Sequence, residues 1–431
     1  MKIFSLVFLF FATCYAFSLN LNIYYNDPLI LTGFIENGNI NFAKLLSRVT
    51  LKNFLDVESY AGFITVDKQN NGNLFFWFFK SEKANAPVAV WLQGGPGGSS
   101  LVGLFHENGP LEIMTDMTLA RREYSWTTDF HMLYIDNPVG AGFSFADPNG
   151  YTSELSHITK HLYVFLEQFY KMFGEVKNND LYLTGESYAC KYIADLAHKI
   201  HEAGNPFNLK GLVIGGGFCD PQTQSKYGTF LYSKGLINAT VYKQFLINEN
   251  LMDQAMNEGD YLQGYVMWNA LNRQAAKRVN TYNYKAPVGK FDVKHATIMN
   301  TTEMRRAAKL GNAKFYETFY VFHDHLEDFM KSVKPLFPTL MQHYKVLLYA
   351  GELDVIAAAP LMEKFVDSIE WKHRTEYLNT TYMPFVLDGR IIAYSKNVNN
   401  FTFARILDAG HLTPHDKPIE TYALLLHFLN D

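Results

Sequence analysis

Ser187 stands in Leu181-Tyr182-Leu183-Thr184-Gly185-Glu186-Ser187-Tyr188-Ala189, where a short apolar run ends in a turn. Tyr192, Ile193, Leu196, Ala197 and Ile200 then recur at helical spacing. Strand, sharp turn and helix are the context in which a G-x-S-x-G-like pentapeptide becomes a nucleophile elbow, with Ala189 here in place of the second glycine. Alone the pentapeptide is a weak signal, because such a turn is more often a simple helix cap. A serine hydroxyl also needs a base to take its proton and an acid to orient that base. Lys345 to Ala350 reads as a buried strand running into Gly351-Glu352-Leu353-Asp354, which puts Asp354 just past a strand's carboxyl end, where open α/β sheets gather their catalytic groups. Glu352 is the rival acid, and capping a helix near Pro360 is the rival role for Asp354. Thr402 to Leu407 reads as another strand, followed by Asp408-Ala409-Gly410-His411, so His411 completes the chain order Ser, Asp, His. His415 competes with it but reads better as a surface loop residue.

The tetrahedral intermediate of such chemistry needs hydrogen-bond donors for its oxyanion. Val88 to Leu92 leads directly into Gln93-Gly94-Gly95-Pro96-Gly97-Gly98, a loop whose backbone can approach a substrate closely. The amides of Gly95 and Tyr188 are the expected donors. A phosphate-binding loop is excluded, because the lysine it needs is missing and Pro96 removes one N–H from the cradle. Nothing in this chemistry calls for a metal or a cofactor.

These residues must be positioned by a sheet. Tyr60–Val66 and Leu74–Phe79, separated by Asn70-Asn71-Gly72-Asn73, predict an antiparallel hairpin at a sheet edge. Val88–Leu92, His131–Ile135, Leu181–Thr184 and Leu209–Gly215 predict buried strands, with a helix over 155–173 among them. Strands alternating with helices argue for a mostly parallel sheet covered on both faces. From about 218 to 337 the pattern turns helical, which predicts an inserted helical cap between a first core part, 17–217, and a second, 338–431, closed by a helix over 419–429.

Lys2 before the apolar run Ile3–Ala12, with small residues at Cys14 and Ala16, reads as a signal peptide of residues 1–16. The run is too short for a membrane span of about 20 residues, so a mature protein without a membrane anchor is expected, secreted or lysosomal. Cys190 and Cys219 are then the remaining thiols, and both a disulfide and two buried free cysteines stay open. Sequons at Asn238, Asn300, Asn379 and Asn400 fit passage through the secretory route. With 431 residues, 48% hydrophobic, 19% charged and a net charge of −4, the chain is globular and lacks the basic footprint of a nucleic-acid binder. A homodimer stays open.

Taken together, WLQGGPGGSS at Trp91–Ser100, DNPVGAGFSF at Asp136–Phe145, GESYACKY at Gly185–Tyr192, GELDVI at Gly351–Ile356 and DAGHLTPHDKP at Asp408–Pro418 resemble the serine carboxypeptidase family, most of all its vitellogenic-like and venom branch. The resemblance implies an α/β-hydrolase fold and release of C-terminal residues from peptides or proteins with a free C-terminus. It also implies that Trp91, Gln93, Glu107 and Glu186 hold the peptide's terminal carboxylate. Three carboxyl groups cannot all be ionised together, so this cluster must keep an extra proton, and an acidic optimum is expected. Gln93 stands where many members have asparagine, Gly98 where cysteine is common, Cys190 where glycine follows the elbow, Ala141 where threonine is usual and Leu412 where a methionine often lines the pocket.

Overall fold

The computed structural model describes residues 26–51, 57–152, 154–288, 294–316, 321 and 325–430, so the expected signal peptide lies outside the described residues. Ten strands form one sheet: β1 (Ser59–Asp67), β2 (Gly72–Phe79), β3 (Val88–Leu92), β6 (His131–Ile135), β7 (Leu181–Glu186), β8 (Leu209–Gly215), β9 (Lys345–Gly351), β10 (Met383–Leu387), β11 (Arg390–Val398) and β12 (Phe401–Ile406). Their order is β1-β2-β6-β3-β7-β8-β9-β12-β11-β10. The six strands from β6 to β12 run parallel, and antiparallel pairs flank them at both edges. A small separate hairpin joins β4 (Leu111–Ile113) to β5 (Leu119–Arg121).

The central strands are apolar without interruption because both their faces are covered. Val88, Val90, Leu92, Leu183, Ile214 and Leu348 belong to one core, while Ala89, Trp91, Tyr182, Val213 and Leu347 belong to the other, the alternation that a strand's two-residue period imposes. Helix α1 (Leu155–Met172) buries Ile158, Leu162, Phe165, Leu166 and Phe169 against the first core, and α2 (Ala189–Glu202) buries Tyr192, Ile193, Leu196, Ala197 and Ile200. Each such phenylalanine contributes about 1.5–3 kcal/mol of transfer free energy. The closing helix, Pro418–Asn430, covers the second core with Leu424, Leu425 and Phe428.

Between β8 and β9 the described residues form helices, including α3 (Ala239–Asn257) and α4 (Tyr261–Ala276), and no strand. Among the described residues no helix is long and apolar enough to cross a membrane. Cys190 and Cys219 are joined in a buried disulfide, which decides between the two readings of these cysteines. Asn238, Asn300 and Asn379 are exposed and Asn400 is half-buried.

Candidate active site

Ser187 sits between β7 and α2 with φ of +59°, a left-handed conformation that costs a non-glycine residue about 1–2 kcal/mol. Neighbouring backbone holds it there. The Ser187 N–H donates to the Gly215 carbonyl (2.9 Å), and its own carbonyl accepts from the amides of Phe218 (2.9 Å) and Cys190 (3.1 Å). Gly94 must lack a side chain, because a Cβ there would lie 2.6 Å from that of Ser187 and 2.9 Å from the Tyr188 nitrogen. The glycine-rich loop therefore lies directly against the elbow. Among the described residues the amides of Gly95 and Tyr188 donate to no protein acceptor, which leaves both available to an oxyanion.

Asp354, fully buried beyond the end of β9, approaches His411 Nδ1 to 2.7 Å through Oδ2, while its Oδ1 accepts from the Ala357 amide at 3.1 Å. This geometry puts the imidazole proton on Nδ1 and leaves Nε2 as the acceptor. The His411 loop is pinned by its own amide donating to the Tyr282 carbonyl (2.7 Å) and by Asp416, which accepts from the Gly410 amide (2.7 Å) and the Asn283 side chain (2.9 Å). Burial pulls the imidazole's pKa down, but the charge and hydrogen bond of Asp354, with the charge of Glu107, outweigh it and hold the ring above its usual 6.5. Ser187 and His411 line one cavity of about 450 Å³ without a hydrogen bond between them, a separation that substrate binding commonly closes in serine hydrolases. The rival groups lie apart: Glu352 accepts from the Asp408 amide at 3.5 Å, and His415 is exposed and bonds the His106 carbonyl.

Gln93 and Glu186 line the same cavity: Trp91 Nε1, behind them, donates to Gln93 Oε1 (2.9 Å), and Gln93 Nε2 donates to Glu186 Oε1 (2.5 Å). Glu107 reaches this cluster from a π-helical turn, Gly103–Glu107, which packs so tightly on the Trp91 indole that a Cβ at Gly103 would lie 2.2 Å from Nε1. Glu107 and Glu186 are each 1% exposed, and both Glu107 oxygens and Glu186 Oε2 lack a donor as carboxylates. With one of the two acids protonated, its hydroxyl can donate to the other's carboxylate. Burial, then the charge of Glu107, pushes Glu186 well above the ordinary carboxyl range, and burial likewise raises Glu107.

Two further residues brace the site, and sequence reasoning gave neither a role. Asp136, at the end of β6, accepts from Ser99 Oγ (2.6 Å) and the Ser100 amide (2.9 Å) on one oxygen and from the Phe143 amide (2.8 Å) on the other, tying the glycine-rich loop to the 136–145 segment. Burial raises its carboxyl to about 7. The available signal was an acid ending an otherwise apolar strand. Lys191, on α2, is 1% exposed and donates to the carbonyls of Asp328 (3.1 Å), Phe329 (2.5 Å) and Lys331 (2.6 Å). It thereby fastens Phe329, a wall of the cavity, to the elbow helix. Burial pulls its ammonium down to about 7 against the charges of Asp328 and Asp220.

The serine carboxypeptidase family model matches residues 50–431. The chain belongs to the serine carboxypeptidase family. This carboxypeptidase is 37% identical over 427 residues to the human probable serine carboxypeptidase CPVL, with 94% of this chain and 90% of the relative covered. It is 36% identical to the venom serine carboxypeptidase of Apis mellifera (94% and 91% covered) and 34% identical to the vitellogenic carboxypeptidase of Aedes aegypti (93% and 90% covered). Among solved structures, Kex1Δp, a prohormone-processing carboxypeptidase from Saccharomyces cerevisiae, superposes with a TM-score of 0.79 at 25% identity, covering 87% of this carboxypeptidase and 92% of that chain. The fold is that of the α/β-hydrolases.

Proposed function

We propose that this serine carboxypeptidase releases single residues from the C-termini of peptides and proteins through an acyl-enzyme on Ser187, in acid. The observation that supports this reading is the buried acid pair, Glu107 with Glu186, of which Glu186 accepts from Gln93 and lines the cavity with Ser187 and His411. A terminal carboxylate seated there meets the Gln93 amide and a protonated carboxyl as donors. The scissile carbonyl then faces Ser187, His411 Nε2 takes the hydroxyl proton as the C–O bond forms, and the oxyanion accepts from Gly95 and Tyr188. His411 passes the proton to the leaving amine as the C–N bond breaks, while Asp354 stabilises the imidazolium. Water, activated by the same imidazole, resolves the ester.

Residues 218–337 act as the cap over this cavity, and residues 1–16 direct the chain into the secretory pathway, where the four sequons become glycosylation sites. The test combines two measurements. Peptide mixtures digested at several pH values and read by mass spectrometry should shorten one C-terminal residue at a time. A fluorophosphonate should label Ser187 stoichiometrically and leave Ser187→Ala unlabelled, with kcat reduced by about 10⁶. Internal cleavage, or labelling that survives Ser187→Ala, would refute the proposal.

A further inference from the structure

Helix α4 turns one face into the cavity: Trp268, Asn269, Asn272, Arg273 and Ala276 all line it. These positions, i, i+1, i+4, i+5 and i+8, form a single helical stripe. A stripe that merely closed a core would be apolar, yet this one carries two amides and a guanidinium. Among the described residues lining the cavity, Glu186, Arg273 and His411 are the acid and the two bases, beside the phenols of Tyr188 and Tyr282. Glu186 and His411 are engaged by Gln93 and Asp354, whereas among the described residues no carboxylate pairs with exposed Arg273.

The stripe also has a direction relative to the scissile bond. Tyr188, whose amide faces the oxyanion, stacks its ring on Phe329 with centroids 5.4 Å apart, and Phe329 contacts Trp268 at 4.4 Å. Arg273 is five residues farther along the same face, about 7.5 Å at 1.5 Å per residue. The receptor for the terminal carboxylate, Gln93 and Glu186, belongs instead to the β3 and β7 ends. The ring contacts from Tyr188 over Phe329 to Trp268 lead to the Arg273 helix and include neither Gln93 nor Glu186, which is the ground for assigning Arg273 to the penultimate residue.

We infer that Arg273, helped by Asn269 and Asn272, selects substrates whose penultimate residue carries a side-chain carboxylate. This rests on the carboxypeptidase reading and adds to it the substrate class. A glutamate side chain reaching out and the long arginine stem reaching back can meet within the cavity that Arg273 lines, and a basic side chain is repelled from the same point.

The experiment uses full-length enzyme and matched peptides with one constant neutral C-terminal residue and Glu, Gln or Lys before it, at pH 6 and low ionic strength. The expected kcat/KM order is Glu, Gln, Lys, with about two- to fivefold between neighbours, as suits an exposed ion pair. Added salt should compress these ratios. Arg273→Gln should bring the Glu-to-Gln ratio close to one, and Arg273→Glu should put Lys first. Equal rates for the Glu and Gln peptides in the wild type, or a Glu preference that survives Arg273→Gln, would overturn the inference. So would a charge preference that follows the released residue instead of the penultimate one. If none of the peptides lost a C-terminal residue, the carboxypeptidase reading itself would fail and take the inference with it.

Discussion

Glu186→Gln tests the acid pair through the pH dependence of binding. Glu107 and Glu186 are buried together without other donors for three of their four oxygens, and Glu186 holds its proton well above the ordinary range because of burial and the charge of Glu107. A peptide carboxylate brings a third negative charge, so binding requires the pair's proton. Once pH passes the pair's apparent pKa, each further unit should raise KM about tenfold, equivalent to 1.36 kcal/mol per unit. His411 has the opposite requirement. It must be unprotonated to act as base, so turnover rises with pH through its elevated pKa. Free-acid peptides should therefore give a bell-shaped kcat/KM profile, and C-terminally amidated analogues only the rising limb. Glu186→Gln keeps a donor without an ionisation and should flatten the KM rise for free-acid peptides by at least one decade across two pH units. The assay is initial-rate kinetics from pH 4.5 to 8 on both peptide series, with wild type and variant. Parallel KM profiles for acid and amide substrates, or an undiminished slope in the variant, would refute the reasoning.

Three other outcomes are expected. Asp354→Asn leaves the imidazole free to adopt the wrong tautomer and should lower kcat by about 10⁴ with little change in KM, measured on any good peptide. Asp136 holds its proton to about 7 in the folded chain against 3.8 as a free group, so unfolding releases a proton between these values and stability falls as pH rises through that window, by up to about 4 kcal/mol. Urea titrations at pH 4.5 and 7.5 should show that fall, and Asp136→Asn should reduce it. Lys191→Met removes the ammonium donor from the Phe329 and Lys331 carbonyls, while the Asp328 carbonyl keeps the Lys331 amide, and should cost about 2 kcal/mol in the same titrations.

The strands that carry the site were legible because they are buried on both faces. Val88–Leu92, His131–Ile135 and Leu209–Gly215 keep the same bounds in sequence and structure, since continuous apolar runs end sharply at turn residues. The β10–β11 hairpin was missed although Asp388-Gly389, both at positive φ, is a turn signal: its strands expose Met383, Val386 and Ile391 and so lack a buried pattern. Glu107 was reachable only through family resemblance, because a five-residue π-helical turn has no period to read. Motif reading found Asp354 and His411 as separate candidates, yet only folding brings two residues 57 positions apart to 2.7 Å. The brace Lys191 acts through carbonyls about 140 positions away, and Asp136 joins Ser99 and Ser100 to the nearby Phe143, links that no local pattern announces.

The Cys190–Cys219 link closes a loop of 29 residues that contains α2 and β8, and loop entropy of that size is worth about 3–4 kcal/mol. One sulfur sits three positions after the attacking serine, and the other belongs to the turn whose Phe218 amide holds the Ser187 carbonyl. Both sulfurs are fully buried and neither lines the cavity, so the bond acts on the frame and not on reactivity. Enzyme made in a reducing host should therefore keep a single reactive oxygen while the clasp that fixes that oxygen's backbone is loosened.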